Sequence, residues 1–587
     1  MTLRVKGTDV GDGTRLTKSA TCDPRAVLLV AWAVLSVSAP AVAADAIQVS
    51  LGNVSEREVS GRLLVFAQPL ASAEQHAAGD PISAVDADVF APRAASVTAM
   101  EVKSLKRGEV VAVGSEAPAF PQGSSTLAPG RYAMQAVLDT RHTYAYSGRG
   151  AGDLLSPVVV IDQPGPVSLV LTQRIPDLEL AAPPHDIPAA LRAEILHTIS
   201  NTRELDFKSE VLTRFWHRRT SIRGWVLTPP GYAKARSEQY PTVYFTHGFG
   251  GNAGSMVKAV AYMDHAMTIG AAPPMIWVFL DESLPAGTHE FADSVNNGPW
   301  GEALTTELIP SLEKHYRMDA RPSGRLLNGH SSGGWATLWL QTEYPTLFGG
   351  TWSTSPDPSD FHDFVGTDLY REKSNVYRQP DGSPTPLIRD HGKVLTTLED
   401  VAALEAVLGD FGDQITSMES VFSPKESAGK PRRLFDRHTG AVDPTVAAYW
   451  RENYDIAHRL ELQGPRVKAN LDGKIHVIVG TDDTFYLDGP ARRLEAVLDT
   501  LGIKNQFCYL PGRTHMDLYK VDDDDEGLLR EIAWAMHAVA RPSAAHPLMP
   551  TATAQCAPDT QRTPSITQVG MAPSFRTTPS LTSALAA

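Results

Sequence analysis

A chain of 587 residues is too long for one hydrophobic core, and at roughly 150 residues per domain it predicts two or three units, one of them large enough for an enzyme. Hydrophobic residues at 42% with 20% charged exclude a chain that is disordered or membrane-embedded throughout. The net charge of -14 argues against a nucleic-acid binder, because counterion release needs clustered Lys and Arg that the sequence does not show; small neutral or carbohydrate-linked ligands stay open.

The first apolar segment, residues 25–44, reads RAVLLVAWAVLSVSAPAVAA. It has a basic residue, an apolar run too short to span a bilayer comfortably, and small residues at Ala41 and Ala43 in an A-x-A pattern. Residues 1–43 are therefore read as a signal peptide with an unusually long n-region, cleaved near Ala43. The expectation is a periplasmic or secreted protein with no stable membrane insertion after cleavage. Of the three cysteines, Cys22 would leave with the signal, Cys508 falls in a predicted core strand and Cys556 in a low-complexity tail. No disulfide framework follows from that count.

Residues 44–204 carry short apolar or alternating runs separated by Gly and Pro: IQVSL at 47, GRLLVFAQ at 61, GEVVAVG at 108, RYAMQAVLD at 131, SPVVVID at 156 and VSLVLTQ at 167. This spacing predicts an all-β sandwich-like domain. Nothing in it clusters acids, His or Cys, so it reads as a structural or substrate-presenting accessory module.

From 205 to 540 strand-like runs alternate with helical periodicity, the pattern of an α/β fold with a mainly parallel sheet and helices on both faces. The strands are YPTVYFTH at 240, PPMIWVFLD at 273, RLLNG at 325, GGTWSTS at 349, KIHVIVG at 474 and NQFCYLP at 505. Between Trp300 and Tyr316, Leu304, Leu308, Ile309 and Leu312 recur at helical spacing, and a further helix is expected at about 487–501. A stretch at about 355–470, rich in Asp, Pro, Arg and aromatics, interrupts the alternation with helical patterns near 398–408 and 445–462. An insertion there would lie over the carboxyl edge of the sheet, so it is a candidate lid. Its DPSDFHDF stretch at 357 and the Asp436–Arg437 pair face either substrate or solvent. Residues 541–587 collapse to Pro, Ser, Thr and Ala and are expected to form a disordered tail.

The chemistry-bearing motif is Gly329-His330-Ser331-Ser332-Gly333, between the strand RLLN and the helix-like GWATLWLQTEYP. G-x-S-x-G on a strand-to-helix turn is a nucleophile elbow, whose glycines let the backbone pass close to its neighbours. A serine hydroxyl needs a base to take its proton, and in this fold the acid and then the histidine follow on later strand-ending loops. Asp482 and Asp483 follow HVIVG, and periodicity does not choose between them; His515 follows the Pro-Gly turn after the last strand. An oxyanion needs two backbone donors, and His247-Gly248-Phe249-Gly250-Gly251 after YPTVYFT can aim one of them. Phe249 N–H and Ser332 N–H are the pair. The acidic run at 522–526 reads as a solvated helix start rather than a metal site, and no metal or organic cofactor is implied.

THGFGG, GPWGEALTTELIPSLEKHYR at 298, GHSSGG, GTDDTFY at 480 and PGRTH at 511 together resemble the putative-esterase family of α/β-hydrolases, which includes enterochelin esterases, S-formylglutathione hydrolases, feruloyl esterases and mycolyltransferases. The resemblance covers roughly residues 235–355 and 470–540. It implies Ser331 as nucleophile, His515 as base, Asp483 as the orienting acid, and the Phe249 and Ser332 amides as oxyanion donors. A β-rich domain ahead of the hydrolase is similar to the arrangement in enterochelin esterases, whereas the insertion departs from the compact family pattern. The expected activity is hydrolysis of a small-molecule or carbohydrate-linked carboxylic ester through an acyl-enzyme. Transfer of the acyl group to a sugar or other alcohol by the same triad, and a non-catalytic glycan- or surface-binding protein, are the alternatives.

Overall fold

A computed structural model describes residues 47–544, apart from 124–125, 164, 177–200, 235–236, 410–412 and 428. The expected signal peptide, Cys22, Cys556 and nearly all of the expected tail lie outside the described residues.

The N-terminal module contains two sheets. In the smaller, Ile47–Leu51 lies between Val110–Val113 and Ser168–Leu171. In the larger, Val59–Pro69 is flanked antiparallel by Ser96–Leu105 and Gly130–Asp139. The sheets share a core of Ile47, Val49, Leu63, Val65, Leu138 and Leu169. The opposite face of the larger sheet, with Leu64, Phe66, Val97 and Val137, packs against Leu404, Val407 and Leu408 of the helix Leu398–Leu408. Burial on both faces explains why LLVFA at 63–67 is continuously apolar instead of alternating. The strand Ser96–Leu105 escapes a reading of hydrophobicity because Thr98, Glu101 and Lys103 dilute its apolar pattern.

Eight strands form the large sheet that follows the module among the described residues: β1 Thr202–Lys208, β2 Ser221–Leu227, β3 Thr242–Thr246, β4 Ile276–Asp281, β5 Arg325–His330, β6 Gly350–Thr354, β7 Ile475–Gly480 and β8 Asn505–Leu510. Their spatial order is β1-β2-β4-β3-β5-β6-β7-β8. Only β2 runs antiparallel to both neighbours; from β4 to β8 all pairs are parallel. This is an α/β-hydrolase sheet. β1 and β2 were not apparent from hydrophobicity, since TRELDFK is a half-exposed edge strand with Leu205 as its one buried residue.

Alternate residues of the central strands feed two cores. Val243, Phe245, Trp277 and Phe279 meet the helices Val257–Thr268 and Gly527–Ala540 on one face. Tyr244, Val278 and Leu327 meet Leu304, Leu308, Ile309 and Leu312 on the other, the helical stripe expected between 300 and 316. Cys508 on β8 is buried. No helix among the described residues is long and apolar enough to cross a membrane.

The insertion at about 355–470 contributes to the core. Its helices are Leu398–Leu408, Gln414–Phe422, Pro444–Tyr454 and Ile456–Gln463, the last two divided at Asp455, whose carboxylate accepts from His458 N–H. Phe361, Phe422 and Trp450 pack with Trp335 and Trp339 of the helix Ser332–Glu343 and with Val477 of β7 in one continuous core. Its aromatic residues therefore bury the face of the helix that follows the serine.

Candidate active site

Parallel strands deliver their loops to one edge, so the residues after β3, β4, β5, β6, β7 and β8 converge at the carboxyl end of the sheet. Ser331 follows β5 at φ 59°, ψ -123°, a left-handed conformation that a non-glycine residue adopts only under constraint. The constraint is visible. Ser331 N–H donates to Thr354 O at 3.0 Å, and its carbonyl accepts from Trp335 and Asp357 N–H at 3.0 and 3.2 Å. A Cβ on Gly333 would collide with the carbonyl oxygens of Thr246 and His247, and one on Gly248 would sit 2.9 Å from Ser331 Cβ. The glycines are what let the loop after β3 close on the serine.

His515 and Asp483 are joined: His515 Nδ1 lies 2.9 Å from Asp483 Oδ2, and both side chains are buried. The other Asp483 oxygen accepts from Phe485 and Leu487 N–H at 2.9 and 3.2 Å. Burial alone would raise the Asp483 carboxyl, but the imidazole and these donors outweigh it and hold it below its ordinary value. With Nδ1 donating to the carboxylate, Nε2 is left as an acceptor. Asp482, left open by periodicity, faces away, with its nearest ion-pair partner His391 at 3.9 Å.

Ser331 Oγ is directed elsewhere. It lies 3.5 Å from Asp357 Oδ1, the outer limit of a hydrogen bond, and among the described residues no hydrogen bond joins it to His515. The imidazole is nonetheless close, because its ring lies 4.3 Å from that of His330, the residue before the serine, at a tilt of 39°. Asp357, in the stretch singled out for its acids, is buried against the elbow and accepts from Ser332 Oγ at 2.8 Å. Burial pushes it up to about 6, despite the lowering effect of Ser332 and His515. Of the other pair noted in the insertion, Arg437 neutralises buried Glu419 at 2.8 Å, and Asp436 closes a local turn through Thr439 and His438 N–H.

Ser332 occupies the first turn of its helix, where an N–H has no intrahelical acceptor. Phe249 sits in the loop after β3, which is braced by His247: its Nδ1–H donates to Gly248 O at 2.8 Å and its Nε2 lies 3.2 Å from Asp281 Oδ1. Behind this brace the acids are differently placed. Burial raises Glu282 to about 8 and pushes Glu290 well up, and neither oxygen of Glu282 has a hydrogen-bond partner among the described residues.

One contributor could not be read from sequence. Arg389, on the insertion strand Pro386–Asp390, donates through Nε to Asp483 O at 2.8 Å and pairs with Asp488 at 3.0 Å, so the insertion supports the acid loop. Asp360, His362 and Asp455 bring ligand-type atoms within 4.8 Å of one another. Those atoms are already engaged: Asp360 with His362 and Arg493, Asp455 with Tyr370 Oη at 2.6 Å.

The family model described as putative esterase matches residues 218–522, more than half of the chain. The chain belongs to this family. The chain is 30% identical over 133 residues to an endo-1,4-beta-xylanase/feruloyl esterase of Xylanibacter ruminicola, a match covering 21% of this chain and 18% of that protein. The chain thus spans less than a fifth of that relative's length. Solved structures similar to the chain include a ferulic acid esterase, at 16% identity over 58% of this chain and 97% of the other with a TM-score of 0.35. Another is an S-formylglutathione hydrolase from Agrobacterium tumefaciens, at 14% identity over 58% and 95% with a TM-score of 0.34.

Proposed function

We propose that this esterase is a secreted or periplasmic serine hydrolase that cleaves a small-molecule or carbohydrate-linked carboxylic ester through an acyl-enzyme on Ser331. The observation that carries the reading is the 2.9 Å bond from His515 to an ionised, buried Asp483, next to a serine held in left-handed backbone at a strand-to-helix turn. Ser331 Oγ turns from Asp357 to His515 Nε2, gives up its proton and attacks the ester carbonyl carbon. The carbonyl oxygen becomes an oxyanion that accepts from the Phe249 and Ser332 N–H groups; losing one such donor costs about 10²–10³ in rate. The intermediate collapses to acyl-Ser331, and the alcohol leaves with the proton held by His515. Water then gives a proton to His515, attacks the acyl carbon and releases the acid, with the proton returning to Ser331 Oγ.

A fluorophosphonate probe tests this directly. Folded wild type is expected to label at one site and Ser331→Ala not at all, with hydrolysis of aryl and acetylated-sugar esters lost in parallel. Unlabelled wild type would defeat the assignment. A mature N-terminus close to Ala44, read by sequencing from the periplasm or medium, is the expected mark of export.

A further inference from the structure

The N-terminal module touches the catalytic machinery at the loop that needs support most. Tyr146 lies on the short helix Tyr144–Ser147 that follows the module strand Gly130–Asp139. Its Oη donates to Gly251 O at 2.6 Å, and its ring meets the Phe249 ring edge-on, with centroids 5.0 Å apart at 78°. The short helix is itself anchored inside the module: Tyr144 N–H donates to Asp139 at 2.9 Å and Tyr144 Oη to Asp86 at 2.8 Å. Within the loop His247 Nδ1–H and Gly251 N–H both donate to Gly248 O, at 2.8 and 3.1 Å, and on the sheet side Asp281 Oδ1 lies 3.2 Å from His247 Nε2. Phe249 is therefore held between a brace from the sheet and a clamp from the module.

A second contact repeats the pattern at the base. Phe90 of the module lies 6.4 Å from the ring of Phe485, which packs edge-on at 4.9 Å against His515. The module is fastened where these contacts are made, by Arg62 Nε to Val407 O at 3.1 Å, by Arg93 to Asp400 at 2.7 Å, and by the apolar seam with the helix Leu398–Leu408.

We propose that Tyr146 is a positioning residue of the esterase, clamping the His247–Gly251 loop so that the Phe249 N–H is aimed before substrate arrives, and that the β module is thereby an integral part of the catalytic site. The proposal rests on the Phe249 amide serving as an oxyanion donor. Its physical basis is the loop's composition. Three of its five residues are glycine, and glycine leaves backbone direction to be set by outside contacts. An oxyanion donor acts only if its direction is set in advance, at 2.7–3.1 Å from the developing charge. Tyr146 fixes the loop by one hydrogen bond and one ring contact, and being buried it remains a phenol able to donate.

The test uses the full chain, with p-nitrophenyl acetate as substrate and phenylboronic acid as a probe that becomes tetrahedral on Ser331. Tyr146→Phe keeps the ring contact and removes the hydrogen bond; Tyr146→Ala removes both. Expected losses in kcat are about fivefold and about thirtyfold, part of the 10²–10³ due to a whole donor, with KM within about twofold. Boronate inhibition should weaken by the same factors. A Tyr146→Ala enzyme with kcat within twofold of wild type, or one whose loss falls wholly in KM, overturns the clamp. If Tyr146→Ala does not fold, Tyr146→Phe decides alone, and an unchanged kcat and boronate affinity overturn the proposal. Turnover that survives in Ser331→Ala overturns the nucleophile assignment and the clamp with it. Loss there, with wild-type kcat in the Tyr146 variants, removes the clamp only.

Discussion

Two sets of buried acids lie near Ser331, and they are opposite in character. Asp483 is fully enclosed, yet it has His515 on one oxygen and two backbone N–H donors on the other, and it stays ionised. Asp357 is enclosed too and lies nearer the serine hydroxyl, but burial raises it to about 6, and Glu282 and Glu290 beyond it are raised further. Proximity to the serine hydroxyl is thus a poor guide to which carboxylate can steer an imidazole. What qualifies an acid is a set of fixed donors that outweighs its desolvation. The first set is built to hold a charge, whereas in the second burial disfavours it.

The sharpest way to break this contrast is to remove the groups that Asp483 serves. Ser331→Ala or His515→Ala should abolish triad-dependent turnover, about 10⁶-fold in a related system, measured as kcat on an aryl ester. Asp483→Asn should cost about 10⁴, since the wrong imidazole tautomer is then held, while Asp357→Asn should cost less than about tenfold; equal losses would erase the distinction. Arg389→Ala withdraws the insertion's donors from the acid loop and should lower kcat by about tenfold, short of losing the acid itself.

The pH dependence of stability separates the two acids by sign. The folded value of Asp357, about 6, lies above its ordinary 3.8, so its ionised form is disfavoured in the folded state. Its penalty is absent below about pH 4, grows between 4 and 6 and is full above. Asp357→Asn should therefore match wild type in chemical denaturation near pH 4 and exceed it at pH 8, by up to about 3 kcal/mol. Asp483 is shifted the other way, so its contribution is present above its ordinary value and fades as the pH falls toward its lowered one. The smallest expected effect is at Asp482, whose side chain is one-third exposed: Asp482→Asn should leave kcat within about twofold.

Much of this was legible beforehand because it depends on local pattern. Six hydrolase strands announce themselves as buried apolar runs, and the elbow, the glycine-rich loop and the helical stripe of Leu304, Leu308, Ile309 and Leu312 are short-range signals. β1, β2 and the module strand Ser96–Leu105 were not, because edge position and polar residues erase the hydrophobic contrast that marks a strand. Nor could periodicity separate Asp482 from Asp483, since adjacent loop residues have no fixed facing; a bond across 32 residues of chain separates them.

By itself the sequence determined the chain order of the candidate residues, Ser331, an acid at 482 or 483 and then His515, at the ends of β5, β7 and β8, because strand and turn propensities act over a few residues. Tertiary structure alone decided that the serine hydroxyl rests toward Asp357, that the insertion's Arg389 carries the acid loop, and that Tyr146 of the module reaches Gly251 across 105 residues. Those contacts join segments far apart in the chain, and side chains acquire such partners only when packing brings the segments together.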